Sequence, residues 1–291
     1  MQLKTTLMGL ASAFLAAPAM AQELEIKGAP VDGAMGFQPA ATELASRLQG
    51  LDNLLLVIIT IISLFVIGLM AYVVLRHNRR SNPNPASFTH HTMLEIAWTI
   101  VPIALLVVIG SFSLPVLFQQ QEIPEGDITI KVTGYQWYWG YEYVGTDLGY
   151  DSYMIGAPAT GGDNRLNAEV EAQLVDAGFS KEEFLLATDT SVIVPTGATV
   201  VMQVTGADVI HSWTIPAFGV KQDAVPGRLA ELWFEAEEEG IYFGQCSELC
   251  GIAHAYMPIT VQVVSPEAYE AWLARSVEAG EYTDIRDVLT N

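Results

Sequence analysis

Along residues 54–75, and again along 96–118, no charged side chain interrupts the apolar sequence. A bilayer core takes about 20 helical residues to cross, so each run predicts a membrane-spanning helix, joined by a loop over 76–95. Beyond residue 119 the pattern changes. Short runs rich in β-branched and aromatic residues recur at 128–135, 191–204, 209–215, 229–235, 241–245 and 259–264, several of them alternating polar with apolar positions. Turn residues punctuate them at Pro195, Gly197, Pro216, Pro226, Gly227, Gly240 and Pro258. Alternation with frequent breaks predicts half-buried strands in a β-sandwich or barrel. Residues 164–184 read as one or two short helices inserted between strands. Residues 266–275 read as a C-terminal helix with Ser265 as its N-cap and Pro266 at its first position.

The N-terminus has a different pattern. Lys4, a short apolar stretch over 7–17 and the small-x-small site Ala19-Met20-Ala21 predict a secretory signal over residues 1–21. The loop between the spans carries Arg76, Arg79 and Arg80, with no acid before Glu95. Positive charge close to a span marks the cytoplasmic side. The signal puts the mature N-terminus outside, and two crossings return the chain there, so the two arguments agree. The chain thus divides into a signal (1–21), an outer N-terminal segment (22–50), a membrane hairpin (51–118), an outer β domain (119–265) and a C-terminal helix with its tail (266–291). Pro102 and Pro115 inside the second span predict packing against other membrane helices, which satisfies the carbonyls that proline frees. Glu95 reads either as an interfacial carboxylate favoured by a helix N-terminus or as an inlet for protons.

Charge narrows the partners. The formal net charge is −20 over 291 residues, and all of it resides in 119–291. Nucleic acid is excluded as a partner, because binding phosphate needs a basic surface. A basic protein is the natural complement. Two cysteines rule out a disulfide framework.

Those two cysteines carry the chemistry. Cys246, Cys250, His254 and Met257 fall within twelve residues, and His211 lies on a predicted strand upstream. The outer domain has no other Cys or His. Soft thiolate and thioether donors together with imidazole favour copper. Two thiolates can bridge two ions and leave one imidazole for each, so a dinuclear copper site is the economical reading. The Glu248 backbone carbonyl sits where it could reach a metal. Three alternatives stand beside it. A Cys246–Cys250 disulfide would close a very small, strained ring. A Cys2His2 zinc site fits four of the donors but has no use for Met257. A copper chaperone also uses two Cys and a His, on an α/β pattern that this domain lacks. The aromatic run 134–143 reads as a strand packing Tyr and Trp into the core, or as an exposed indole, Trp137, coupling a docked redox partner to the metal.

With these residues in view, the chain resembles subunit 2 of haem-copper cytochrome c oxidase, of the alphaproteobacterial and mitochondrial type. The resemblance rests on the two-span hairpin, residues 94–102, the aromatic run 134–143, and the segments 208–213, 221–228 and 246–257. It implies a two-helix transmembrane hairpin followed by an all-β cupredoxin-like Greek-key sandwich in the periplasm of a bacterium, anchored in its plasma membrane. It implies a dinuclear copper A centre bridged by Cys246 and Cys250. His211 and His254 would bind one copper each, with Met257 and the Glu248 carbonyl as weak ligands. The Glu248 side chain would help hold a magnesium ion shared with subunit 1. Trp137 would receive electrons from cytochrome c, docked on Glu142, Asp151, Asp189 and Asp208. The electrons would pass to haem a in subunit 1, supporting oxygen reduction and proton pumping in a complex that includes subunit 3. Glu95 would sit at the mouth of a proton path, and Arg228 between the copper site and the haems.

Overall fold

The computed structural model describes residues 24–290, and the signal read over residues 1–21 lies outside them. The chain opens with a short strand, β1 (Ile26–Gly28). Helices α1 (Glu43–Arg76) and α2 (Thr92–Gln121) follow, both long and apolar enough to cross a membrane. The remaining strands are β2 (Ile128–Tyr135), β3 (Tyr138–Tyr143), β4 (Gly149–Ser152), β5 (Val192–Pro195), β6 (Thr199–Gly206), β7 (His211–Ile215), β8 (Val220–Ala224), β9 (Ala230–Glu235), β10 (Gly240–Gln245) and β11 (Pro258–Val264). Helix α3 (Ala168–Asp176) interrupts the strands, and α4 (Pro266–Ala279) and α5 (Arg286–Leu289) end the chain.

The strands form two main sheets, ordered β1-β10-β11-β5 and β4-β3-β2-β6-β9, with β7-β8 as a separate two-stranded ribbon. Buried positions alternate along β2, as a strand with one face on the core requires. Ile130 and Val132 from one sheet and Ile259, Val261 and Val263 from the other share a single core cluster, which makes the domain a β-sandwich. β7 packs against β10 and carries fully buried Trp213 into the same core. A smaller cluster of Val170, Leu174 and Phe179 seats α3 against Ile241 and Phe243. Helix α4 buries Trp272 completely, and its indole donates to the Thr283 carbonyl at 2.7 Å.

Helix α1 starts earlier than its apolar run. Thr42 caps it by accepting the Ala45 N–H at 3.0 Å. A helix of 34 residues is about 51 Å long at 1.5 Å per residue, well beyond a hydrocarbon core of about 30 Å. The surplus is the first turns, where Leu44 and Ala45 are buried against the sandwich. The Ala41 N–H donates to the Ala217 carbonyl at 2.9 Å, and the Thr42 hydroxyl to the Phe218 carbonyl at 2.8 Å. Gly219, at φ +68°, makes that approach possible: a Cβ there would meet the Ala45 backbone at 2.7 Å. Helix α2 is fastened separately, by the Trp233 indole donating to the Gln119 carbonyl at 3.1 Å. A cleft of about 1010 Å³ runs between the helix ends and the sandwich, lined by Leu44, Leu117, Trp233, Lys221 and Arg228 among others.

Some elements depart from the sequence expectation. The run 191–204 is two strands in different sheets, parted at Thr196 and Gly197. The strand expected from Val209 begins at His211, because Asp208 takes the Val209 N–H in its own side chain at 2.6 Å. The aromatic run is not one strand: it folds back between β2 and β3 at Gln136 and Trp137. No Gly, Pro or Asn marks that turn, which contacts from elsewhere in the chain hold in place.

Candidate metal centre

The loop after β10 brings Cys246, Cys250, His254 and Met257 to the end of the sandwich, and β7 brings His211 to the same place. Both thiols are buried and unoxidised, with Sγ atoms 3.8 Å apart. A disulfide needs about 2.05 Å between its sulfurs, so the pair is not joined. An imidazole lies close to each thiol. His211 Nδ1 is 3.9 Å from Cys246 Sγ, and His254 Nδ1 is 3.5 Å from Cys250 Sγ. Met257 Sδ lies 3.5 Å from Cys250 Sγ, and the Glu248 carbonyl accepts from the Cys246 thiol at 3.2 Å. The His211 and two Cys donor atoms all lie within 4.8 Å of one another. Two soft sulfurs, two imidazoles and a thioether around one small space fit copper better than zinc.

The two thiols are electrostatically unequal. Burial pushes Cys246 upward, but contacts with the His211 ring and with the backbone of Glu248 and Ser212 outweigh it and bring the thiol down to about 7. Burial and the neighbouring Cys246 charge push Cys250 up to about 12. The pair thus gives up its first proton far more readily than its second, and a bound cation displaces both. Burial works against a charged His211, yet Cys246 and Asp208 together raise it above the ordinary imidazole value.

The surroundings hold the loop still. Trp139 donates from its indole to the Met257 carbonyl at 3.1 Å and lies edge-on to the His211 ring. Gly134 on β2 gives that ring its space, since a Cβ there would meet it at 2.8 Å. The turn at Gln136 and Trp137 is tied to the loop by two donors on one acceptor. The Gln136 amide and the Trp137 indole reach the Cys250 carbonyl at 2.8 and 3.2 Å. Gln136 and Trp139 were not among the expected site residues. Both lie in the aromatic run, but nothing in a single sequence shows which of its side chains face a loop more than a hundred residues away.

The other expected residues are spread over two regions. Asp151, Asp189 and Asp208 are exposed around the metal end, near a stack of Tyr135, Tyr138 and Tyr153. Asp189 accepts the Tyr153 N–H at 2.8 Å, and Tyr153 donates its hydroxyl to Asp151 at 3.3 Å. Glu142 is paired with Lys131 at 2.7 Å. The Glu248 carboxylate is half-exposed and lies 3.9 Å from Lys221. Arg228 is exposed on the cleft. Glu95 stands apart, in the first turn of α2, where it accepts the His91 N–H at 3.3 Å.

Comparison with known proteins agrees with this architecture. The family model described as the periplasmic domain of cytochrome c oxidase subunit II matches residues 128–264, and the one described as its transmembrane domain matches 30–116. Cytochrome c oxidase subunit 2 of Cereibacter sphaeroides is 64% identical over 282 residues, covering 95% of this chain and 93% of that protein. A probable cytochrome c oxidase subunit 2 of Rickettsia bellii is 43% identical over 246 residues, covering 84% of this chain and 85% of its own. The crystal structure of the periplasmic domain of subunit II of Bradyrhizobium japonicum cytochrome oxidase is 40% identical. It covers 54% of this chain and 97% of that one, at a TM-score of 0.43. Two membrane-capable helices, a sandwich with its sulfur–imidazole cluster, and relatives alike over nearly the whole length place this chain in the cytochrome c oxidase subunit 2 family, as the subunit of a haem-copper terminal oxidase that carries a copper A-type domain.

Proposed function

We propose that this chain takes electrons from a basic cytochrome c and delivers them to haem a in subunit 1 of its oxidase, supporting oxygen reduction to water and proton pumping. One observation carries the reading: two unjoined thiols 3.8 Å apart, with the His211 ring 3.9 Å from one and the His254 ring 3.5 Å from the other. In this reading Cys246, Cys250, His211, His254, Met257 and the Glu248 carbonyl would hold two coppers between them. When bound, the copper pair supplies one-electron storage shared over two metals, which keeps rearrangement small.

The chain's own residues do the rest. Burial of both thiols excludes water from the sulfurs. The Trp137 indole, half-buried and hydrogen-bonded to the Cys250 carbonyl, offers a short connection from the surface to the loop. Asp151, Asp189, Asp208 and Glu142 form the acidic face for cytochrome c. The cleft beside the helix ends, with Arg228, faces subunit 1, where the Glu248 carboxylate would share a magnesium ion. Glu95 serves as the inlet of a proton path, and subunit 3 completes the neighbouring membrane helices. Arg76, Arg79 and Arg80 set the cytoplasmic side, which leaves the sandwich and both mature ends in the periplasm of a bacterial plasma membrane. Residues 1–21 are removed as a signal, and the divisions 22–50, 51–118, 119–265 and 266–291 describe the working regions.

The test is electron paramagnetic resonance of the purified copper-loaded protein with a copper count. The expected result is two coppers per chain and one unpaired electron shared equally between two nuclei. A single-nucleus signal overturns the reading and favours a copper-delivery protein instead.

A further inference from the structure

We infer that Asp208 is the positioning residue of the metal centre: one carboxylate locks His211 and the Trp137 turn to each other. The inference rests on the two-copper reading above, and it gives Asp208 a task other than docking charge.

Both carboxylate oxygens are engaged. Oδ1 lies 2.8 Å from His211 Nε2 and accepts the Val209 N–H at 2.6 Å, while Oδ2 accepts the Gln136 N–H at 2.7 Å. An ionised carboxylate only accepts. The proton of the 2.8 Å contact therefore belongs to His211 Nε2, which makes Nδ1, the nitrogen facing Cys246, the one that would give its lone pair to a metal. A ligating histidine held this way has a fixed tautomer, a fixed ring angle and a more basic donor nitrogen. The same side chain fixes the backbone at Gln136, next to Trp137, so the indole and the imidazole share one reference point. The two imidazoles differ accordingly. His211 is completely buried, whereas His254 is half-buried and has no carboxylate on its ring among the described residues. Asp151, Asp189 and Glu142 make no contact with a sulfur or an imidazole of the centre among the described residues, so the clamp singles out Asp208.

The experiment uses the purified oxidase complex carrying Asp208→Asn, Asp208→Glu or Glu142→Gln, read by electron paramagnetic resonance, midpoint potential and the salt dependence of reduction by cytochrome c. Asparagine keeps the shape but has an accepting oxygen at only one of the two carboxylate positions, so it cannot hold both the His211 ring and the Gln136 N–H, and it removes the charge beside the ring. Glutamate keeps the charge but displaces it by a methylene. The expected result is an altered copper spectrum in both Asp208 variants and an upward shift of potential in Asp208→Asn. Glu142→Gln, which removes a charge without touching the centre, is expected to alter the salt dependence alone. Should Asp208→Asn fail to assemble, the spectrum of Asp208→Glu decides. The inference is overturned if the Asp208 variants keep the parent spectrum and potential and differ only in salt dependence. Lack of a two-copper signal in the parent complex overturns the reading of the centre itself, before any variant is compared.

Discussion

Cys246 and Cys250 are buried side by side yet hold their protons very differently, and this gives the metal-free protein a distinctive pH response. Cys246 titrates at about 7 when folded, against 9.0 for an ordinary thiol. At Cys246 alone the unfolded chain binds more protons between those values, a gain with rising pH that its partner His211, raised above the ordinary imidazole value when folded, opposes. Cys250, pushed up to about 12, does the opposite: the folded chain holds the extra proton, and stability falls as pH climbs above 9. Thermal unfolding of the metal-free protein is expected to show stability falling above pH 9, and the double variant Cys246→Ser, Cys250→Ser to flatten that fall. A fall unchanged in the double variant refutes the assignment. Replacing Cys246 alone by Ser is expected to leave one copper or none per chain, counted by atomic absorption. Trp137→Ala is expected to keep both coppers while slowing reduction by cytochrome c more than about tenfold, the equivalent of about 1.4 kcal/mol of barrier. Stopped-flow mixing gives the rate. The donor set itself was legible, because scarcity makes it stand out: the only Cys and His residues of the outer domain all belong to it. The hydrogen bonds around it were not. Trp139 to Met257 and Gln136 to Cys250 span 118 and 114 residues, and only folding reveals such partners.

At the level of elements, local signals worked where local physics decides. Ser265 caps α4 and Pro266 opens it, as their chemistry dictates. Strand β2 occupies the alternating run residue for residue. The signal failed where pairing decides. β8 reads as Val-Lys-Gln-Asp-Ala, too polar to announce a strand, and exists because β7 pairs with it. β1 is only three residues long and is held by a parallel pairing with β10. Two substitutions test the element contacts. Trp272→Ala removes a fully buried indole and its bond to Thr283, and is expected to destabilise the sandwich by about 3–5 kcal/mol. Chemical denaturation followed by fluorescence measures it. Gly219→Val forces a branched side chain into the Ala45 backbone and is expected to loosen the start of α1. Faster amide exchange over 41–47, with the copper spectrum intact, is the result to look for.

For the whole molecule, charge and anchorage matter most. A net charge of −20 concentrated beyond residue 119 creates a field that reaches a basic partner before contact. Raising ionic strength from 0.01 M to 0.15 M shortens the screening length from about 30 Å to about 8 Å. The second-order rate of reduction by cytochrome c is expected to fall by about tenfold or more over that interval. A rate indifferent to salt removes steering from the account. The fastening of α1 through Ala41 and Thr42, and of α2 through Trp233, has a consequence of its own. A head on one loose stalk would swivel and bob above the lipid. With both stems welded to it, a thicker or thinner bilayer must tilt the stems, and they act as levers on the crown. The height and pitch of the sulfur cluster above the membrane are thereby expected to follow helix tilt as lipid length changes.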